Sequence, residues 1–231
     1  MRRKYTMSYH ESPTPITDPV TKFGGQPVWL GEPQWPLSRS YGEPMRFICQ
    51  IALPADIFPG IEPRIAYLFI TDDAEHGYVA ATFDPDDGEN ALILQPGGIY
   101  EGRTAALREG PTLYQREWID GAWRRTPVEL AVELAPGNDP EPGYWDNVDD
   151  EDPLAWDAYM GALFEDKIGG TPVPTVNRPE FPALSVWRLL VQLNTRGEDE
   201  DDLFFLNFAD DGVGYGFISE DGRQGRFLWS R

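Results

Sequence analysis

A seven-residue block occurs twice in the chain, and it constrains the fold more than any other feature. Residues 22–28 read Lys-Phe-Gly-Gly-Gln-Pro-Val, and residues 167–173 read Lys-Ile-Gly-Gly-Thr-Pro-Val. An aromatic residue followed by proline comes after each block, as Trp35-Pro36 in the first copy and Phe181-Pro182 in the second. Motifs that recur in the same order indicate two copies of one supersecondary unit.

The likeness continues downstream of the two blocks. Each copy next has an apolar strand with a glutamine inside it, Gln50 in the first copy and Gln192 in the second. A hydrophobic strand, an acidic turn and a Gly-Tyr pair then follow, which we align at residues 67–78 and 204–215. We therefore predict an internal repeat with four shared landmarks.

The composition and the local patterns favour strands and turns. Glycine (23 residues) and proline (22 residues) are both in excess of ordinary usage. Residues 128–134 alternate apolar and polar side chains, which is typical of a half-buried strand. Asp120-Gly121 and Asp221-Gly222 have the composition of hairpin turns, and a helix is predicted after Asp152, with Pro153 in its first turn. The predicted fold class is α+β and β-rich, with internally duplicated antiparallel sheets and one or two short helices.

The domain organisation follows from the repeat. Residues 1–19 are predicted to be a flexible N-terminal tail, and residues 20–231 a single domain. That domain is built from two related halves, about 20–125 and 160–231, joined by an acidic segment. We expect the halves to pack as one unit, because neither has enough apolar residues to be stable alone.

Taken together, these motifs resemble the YwqG-like family, a bacterial family of unknown function. The resemblance rests on the two Lys-x-Gly-Gly-x-Pro blocks, the aromatic–proline pairs, Gln50, Gln192 and the ending at 210–218, and it runs from about residue 20 to the C-terminus. It implies a duplicated, β-rich fold with no established activity and no catalytic residues to carry over. Some members are encoded among toxin and immunity genes, which is an association rather than a mechanism.

Residues suited to catalysis or cofactor binding are sparse. Cys49 is the only cysteine and aligns with Val191, so we expect a small buried hydrophobe rather than a nucleophile paired with His10 or His76. Proline after each Gly-Gly pair precludes a phosphate-binding loop, and the acidic stretch 84–90 lacks the spacing of a calcium loop. No catalytic residue, metal or cofactor is expected, although carboxylates from distant positions keep an acid–base enzyme open.

The repeated lysines and glutamines each have two interpretations. Lys22 and Lys167 either donate to free carbonyls at the end of a helix or turn, or form two equivalent cationic sites. Gln50 and Gln192 either bind neighbouring backbone, or line a cleft between the repeats with tryptophan walls. The candidate cleft residues are Trp29, Trp35, Gln50, Gln192, Trp187, Lys22 and Lys167.

The acidic charge is the clearest indication of function. The formal net charge is −20, and residues 126–166 contain twelve acidic and no basic residues before Lys167. This charge disfavours direct binding to nucleic acid or to an anionic membrane. The acidic runs are either solvated loops or a docking surface for a basic protein with aromatic anchors. The candidate surface consists of Tyr144, Trp145, Asp149, Asp150, Glu151, Asp152, Trp156, Glu198, Asp199, Glu200, Asp201 and Asp202.

The sequence thus predicts an acidic, non-catalytic binding protein, such as an immunity or antitoxin-like partner that neutralises a basic effector. The alternative is a small-molecule-binding module, or an uncharacterised enzyme, that uses the cleft between the repeats. The segment after Arg2-Arg3-Lys4 is polar and interrupted by proline, unlike a signal peptide, so a cytoplasmic location is expected. The oligomeric state is left open.

Overall fold

The computed structural model describes residues 1–62, 64–72, 81–141, 153–175, 181–197 and 202–231. Within these ranges, a 10-stranded antiparallel sheet has the order β14-β13-β12-β11-β1-β10-β2-β4-β5-β6, and β3-β7 and β8-β9 form two small sheets. The strands are β1 (Arg2–Glu11), β2 (Lys22–Gly24), β3 (Trp35–Pro36), β4 (Arg46–Ala52), β5 (Ile65–Ile70), β6 (Asn90–Gln95), β7 (Thr104–Ala105), β8 (Tyr114–Ile119), β9 (Ala122–Pro127), β10 (Glu129–Asp139), β11 (Lys167–Gly169), β12 (Trp187–Asn194), β13 (Val213–Ser219) and β14 (Gly225–Ser230); the helix α1 spans Pro153–Leu163. The predicted β-rich α+β fold is confirmed.

The large sheet curls until its two edge strands, β6 and β14, lie side by side. A side chain at Gly225 of β14 would stand 2.5 Å from the carbonyl oxygen of Leu92 in β6, and the N–H of Ile99 donates to the carbonyl of Arg223 at 2.7 Å. Near-closure covers the sheet edges, which would otherwise expose unpaired backbone groups. None of the described helices is long and apolar enough to cross a membrane.

We refer to β2, β4, β5 and β6 as the first half and to β11–β14 as the second half. The central strands β1 and β10 lie between the halves, and the order of strands outward from this centre is the same on both sides. Both faces of the sheet are buried within each half. In β5, Leu68 belongs to the inner core, whereas Tyr67 and Phe69 belong to an outer cluster with Trp35. This explains why β5 is apolar without alternation.

The N-terminal segment is a central strand, and the prediction of a flexible tail is wrong for it. All of β1 pairs with β10, and Lys4–Thr6 also pair with β11. The side chains of Tyr5, Met7 and Tyr9 pack on the inner core. These three alternate with polar residues, which is the pattern of a strand, but the proline-rich stretch that follows obscured it.

Three local predictions are confirmed. The strand predicted at 128–134 lies in β10 from Glu129 onward. Asp120-Gly121 turns β8 into β9, and both residues have positive φ, 52° and 79°, as a type I′ turn requires. Asp221-Gly222 lies between β13 and β14, which pair as a hairpin.

In both halves, the valine that ends the repeated block is held by a glutamine and a tyrosine. In the first half, Gln50 Oε1 accepts the N–H of Val28 at 2.8 Å, and the hydroxyl of Tyr67 donates to the carbonyl of Val28 at 2.7 Å. The second half has the same set at 2.8 Å for both bonds, formed by Val173, Gln192 and Tyr215. Such matched contacts are what a duplicated sequence would produce, and duplication itself stays a prediction.

The alignment of the third and fourth landmarks needs correction. Gln50 pairs with Tyr67, and Gln192 pairs with Tyr215, so the counterpart of β5 is β13. Residues 204–208, which we predicted to be a strand, form an irregular segment with an isolated bridge at Leu206. Four apolar residues within five positions predict a strand, but these side chains fill the core from a loop instead.

That loop belongs to the second half and packs on the first. The ring of Phe204 lies 5.7 Å from that of Phe23 in β2, and the carbonyl of Phe205 accepts a hydrogen bond from the guanidinium of Arg46 in β4 at 3.2 Å. The aromatic side chain of Phe208 completes the same inner core.

The loop after β4 makes the reciprocal crossing from the first half to the second. Phe58 is buried in the inner core and lies under the guanidinium of Arg188 in β12, 5.3 Å from its ring centre. Arg64 donates to the carbonyl of Gly222 at 2.6 Å. Each half therefore depends on a loop from the other for its core.

Replacing Gln192 with leucine is expected to lower the free energy of unfolding by about 3 kcal/mol, because it leaves the N–H of Val173 and the carbonyl of Glu165 without the amide that now binds them. Urea denaturation provides the measurement. The exposed Gln224 is the matched control, and its leucine variant should change stability by less than about 0.5 kcal/mol. Equal effects of the two substitutions would contradict the buried role.

Candidate functional site

A groove of about 630 Å³ lies where the two halves meet. We call it the inter-half groove. The loop 56–59 of the first half forms one side, with Arg2 and Arg3 of β1 also lining the groove. The second half forms the other side with residues 184–186, Arg188, Leu189 and Glu220. Its volume is in the usual range for small-molecule sites, and its position between two units is a common one.

The walls of the groove combine apolar surface with a few charges. Ile57, Phe58, Leu184, Val186 and Leu189 supply the apolar part. Val186 is 49% exposed, although its side chain is apolar. The charged lining residues are Arg2, Arg3, Arg188, Asp56 and Glu220.

Arg188 is the most distinctive polar residue of the groove. Its guanidinium lies over the ring of Phe58, and one N–H donates to the carbonyl of Glu220 at 3.4 Å. Its Nε is buried without a hydrogen-bond partner. No carboxylate lies within 4.0 Å of Arg188 in the described residues. The cation is thus held in place by a ring, without a neutralising charge.

The Gly-Gly pair of the second repeated block, Gly169-Gly170, lines the groove and separates it from the interior. Gly169 and Gly170 have φ angles of 73° and 79°, which favour glycine. A side chain at Gly169 would stand 2.9 Å from Ile57, and one at Gly170 would stand 2.3 Å from a carboxylate oxygen of Asp139. Neither position has room for a side chain, so glycine is required at both Gly169 and Gly170.

Behind this Gly-Gly pair lies a buried cluster of two lysines and two carboxylates. The carboxylate of Asp139 is fully buried, with Lys167 Nζ 2.7 Å from one oxygen and Lys4 Nζ 2.6 Å from the other. Lys4 also binds Glu165, and the N–H of Thr171 donates to Asp139 at 2.9 Å. Burial lowers the pKa of Lys167 to about 8, although the neighbouring Asp139 carboxylate opposes this shift.

The predicted capping role of Lys167 is confirmed. Its ammonium group donates to the carbonyl of Leu163, the last residue of α1, at 3.0 Å. Lys22 has the corresponding arrangement, with Glu129 at 2.5 Å and the carbonyl of Ile16 at 3.0 Å. Both lysines are buried, so neither presents an open cationic site.

The structure does not bring the predicted cleft residues together in one cleft: Lys22 pairs with Gln50 in the first half, and Lys167 pairs with Gln192 in the second. Gln50, Gln192, Lys22, Lys167 and Trp35 are buried, and the amides of both glutamines are occupied by backbone groups. These side chains are therefore not available to line an open cleft. The two remaining candidates lie apart: Trp29 packs on Tyr67 in the outer cluster of the first half, and Trp187 lies beside Arg226 in the second.

Most of the predicted acidic docking surface lies outside the described residues. This holds for residues 144–152 and 198–201. Trp156 lies within α1. The carboxylate of Asp202 accepts the N–H of Gly197 at 2.6 Å and lies 3.5 Å from the guanidinium of Arg196, so it stabilises its own loop.

The acidic stretch 84–90 contains a buried carboxylate with a structural role. Glu89 accepts hydrogen bonds from Ser38 (2.6 Å), Thr71 (2.7 Å) and the N–H of Ser40 (2.7 Å). Burial by itself would raise the pKa of Glu89, but these hydrogen bonds outweigh it and the pKa is lowered. Among the residues described, no cluster of three metal-ligating side chains occurs.

The hairpin β8–β9 exposes aromatic surface. From the sequence we predicted only the turn of this hairpin and not its exposed tryptophans. Trp118 and Trp123 are cross-strand partners, 60% and 56% exposed, with ring centres 5.2 Å apart. The guanidinium of Arg116 lies between the rings of Trp123 and Phe205, at 4.3 and 4.1 Å. Isolated two-stranded hairpins are marginally stable, and these stacked rings anchor this one to the body.

A family model for a domain of unknown function, DUF1963, matches residues 21–227. The chain belongs to the DUF1963 family. No curated protein matches it. The matched region begins after β1 and includes both halves, so it contains every segment of the inter-half groove except Arg2 and Arg3.

The low pKa of Lys167 is directly measurable, because the chain has only three lysines, Lys4, Lys22 and Lys167. In a pH titration followed by NMR of labelled lysine side chains, one signal should titrate near pH 8 and vanish in Lys167→Arg. Because the folded pKa is below the ordinary 10.5, the contribution of this group to stability rises between about pH 8 and 10.5. A Lys167 signal unchanged between pH 7 and 9 would refute the assignment.

Proposed function

We propose that this DUF1963 protein is a binding module that takes up a small, largely apolar molecule in the inter-half groove. The observation that supports this most is the groove itself, about 630 Å³ and lined from both halves. Exposed apolar side chains such as Val186, at 49%, gain from being covered. This proposal keeps the predicted cleft between the repeats but replaces its lining residues.

The geometry supports binding better than catalysis. Two carboxylates line the groove. That of Asp56 accepts hydrogen bonds from Tyr5 and Arg3, and that of Glu220 is exposed. Acid–base catalysis needs two carboxyl groups in defined positions, and here one is held by its own hydrogen bonds while the other is exposed. The relationship to the YwqG-like family is part of the same proposal and rests on the motifs of the sequence.

Filling the groove is expected to abolish ligand uptake. Ser185 lines the groove and is exposed, so Ser185→Trp should weaken binding of the uncharged dye Nile red at least tenfold, measured by fluorescence titration. The control is Ser8→Trp, an exposed position on β1 outside the groove, which should change the affinity less than twofold. Equal binding by both variants would count against the groove as the site.

A second candidate is the capture of a basic protein partner in the cytoplasm, as an immunity protein would do. The net charge of −20 and the exposed pair Trp118 and Trp123 favour it. Aromatic residues often anchor protein interfaces, and charge accelerates encounter.

This candidate predicts salt-sensitive capture. Affinity purification from the native host at low salt should recover a basic protein that is lost at about 0.5 M salt, because screening weakens attraction between exposed charges. Neutralising residues 149–152 and 198–202 to amides should reduce recovery at least tenfold, and Trp118→Ser combined with Trp123→Ser should do so at unchanged net charge. A partner retained by both variants would show that neither surface is used.

A further inference from the structure

Resting on the proposed function, we infer the chemical class of the ligand in the inter-half groove. We propose that it is an apolar molecule with a single carboxylate, and that this carboxylate binds the guanidinium of Arg188. The apolar body would then lie along Ile57, Phe58 and Leu184, with Val186 covered at the rim.

The charge balance of the groove selects an anion. Arg3 is paired with Asp56, and Arg2 is paired with Glu141, each at 3.5 Å. Arg188 is the arginine of this groove that has no carboxylate within 4.0 Å in the described structure. In a chain with a net charge of −20, a partly buried cation left without a counter-charge at a groove is a specific anchor for an anion.

The charges that line the groove favour a ligand with one negative charge over a ligand with two. Glu220 lines the groove with its own carboxylate, whereas the carboxylate of Asp56 is paired with Arg3. A doubly charged phosphate would bring two negative charges to one unpaired cation beside the Glu220 carboxylate, whereas a ligand carboxylate matches the single charge of Arg188. Glu220 is exposed, so its repulsion is screened more than the attraction of Arg188.

The side chain of Arg188 is already restricted before a ligand carboxylate binds. Stacking on Phe58 at 5.3 Å and the hydrogen bond to the carbonyl of Glu220 restrict the side chain. A guanidinium has five N–H donors, and the terminal nitrogens keep donors beyond the one that Glu220 accepts. A restricted arginine loses little conformational entropy on binding, which favours a bidentate carboxylate contact.

The polar and apolar parts of the groove adjoin each other. Phe58 serves both as the ring under the guanidinium of Arg188 and as apolar wall of the groove. A carboxylate on Arg188 therefore places the first carbons of the ligand against apolar side chains. Medium-chain fatty acids and arylalkanoic acids share this chemistry.

The test compares decanoate, its uncharged methyl ester and decyl phosphate by calorimetric titration at pH 7. Wild-type protein should bind decanoate at least tenfold more tightly than the ester and more tightly than the phosphate. Arg188→Gln should reduce the preference for acid over ester to less than threefold, with affinity for the ester unchanged. Arg39→Gln, an exposed arginine outside the groove, should keep the full preference.

Each outcome decides a separate point. Equal binding of acid and ester by wild-type protein would overturn the carboxylate inference, while leaving the groove as an apolar site. Tighter binding of the phosphate would overturn the assignment of a single charge. Failure of all three ligands, together with equal dye binding by Ser185→Trp and Ser8→Trp, would overturn the proposed function itself. Should Arg188→Gln not fold, the wild-type acid–ester comparison and Arg188→Lys, which should keep a preference for the acid, still decide the inference.

Discussion

The buried carboxylate of Asp139 joins more elements than any other single group described above. At the end of β10, it binds Lys167 of β11, Lys4 of β1 and the N–H of Thr171 after the repeated block. Two cations around one anion leave a positive excess in the interior, which Glu165 offsets by binding Lys4. Removing one partner from such a cluster leaves an uncompensated buried charge, a far larger loss than for a surface ion pair. The junction between the central strands and the second half depends on this group.

On the other side of the centre, a simpler pair occupies the corresponding place. Lys22 binds Glu129, which also accepts the N–H of Ile16. The two halves thus keep the lysine, the glycines, the glutamine and the tyrosine, but differ in how the lysine is neutralised. In the first half, Gly25 faces Glu129 and Gly24 faces the carbonyl of Val128. In the second half, Gly170 faces Asp139, and Gly169 faces Ile57 of the inter-half groove. The same backbone arrangement therefore holds its lysine in a different ionic environment on each side of the centre.

Sequence reasoning succeeded where the determining interactions are local, and failed where they are distant. The turn at Asp120-Gly121 follows from two adjacent residues, and the burial of Cys49 follows from its alignment with Val191. Strand β1 was missed because its partners in β10 and β11 are more than a hundred residues away. The inter-half groove needs Phe58, Gly169 and Arg188, and no spacing in the sequence connects them. Residues 204–208 were wrongly predicted to be a strand, because apolar residues of a loop that packs into a core have the same composition as a buried strand.

The central position of β1 has a consequence for synthesis on the ribosome. At about 5–20 residues per second, Lys167 leaves the ribosome roughly 8–30 s after Lys4, its neighbour across Asp139. Nascent β1 has no partner in the sheet until β10 has been made, and it lacks its second partner until β11 has been made. The loops that cross between the halves extend the delay, because each core is completed by residues made with the other half. Chaperone binding during translation should therefore persist until most of the chain has emerged.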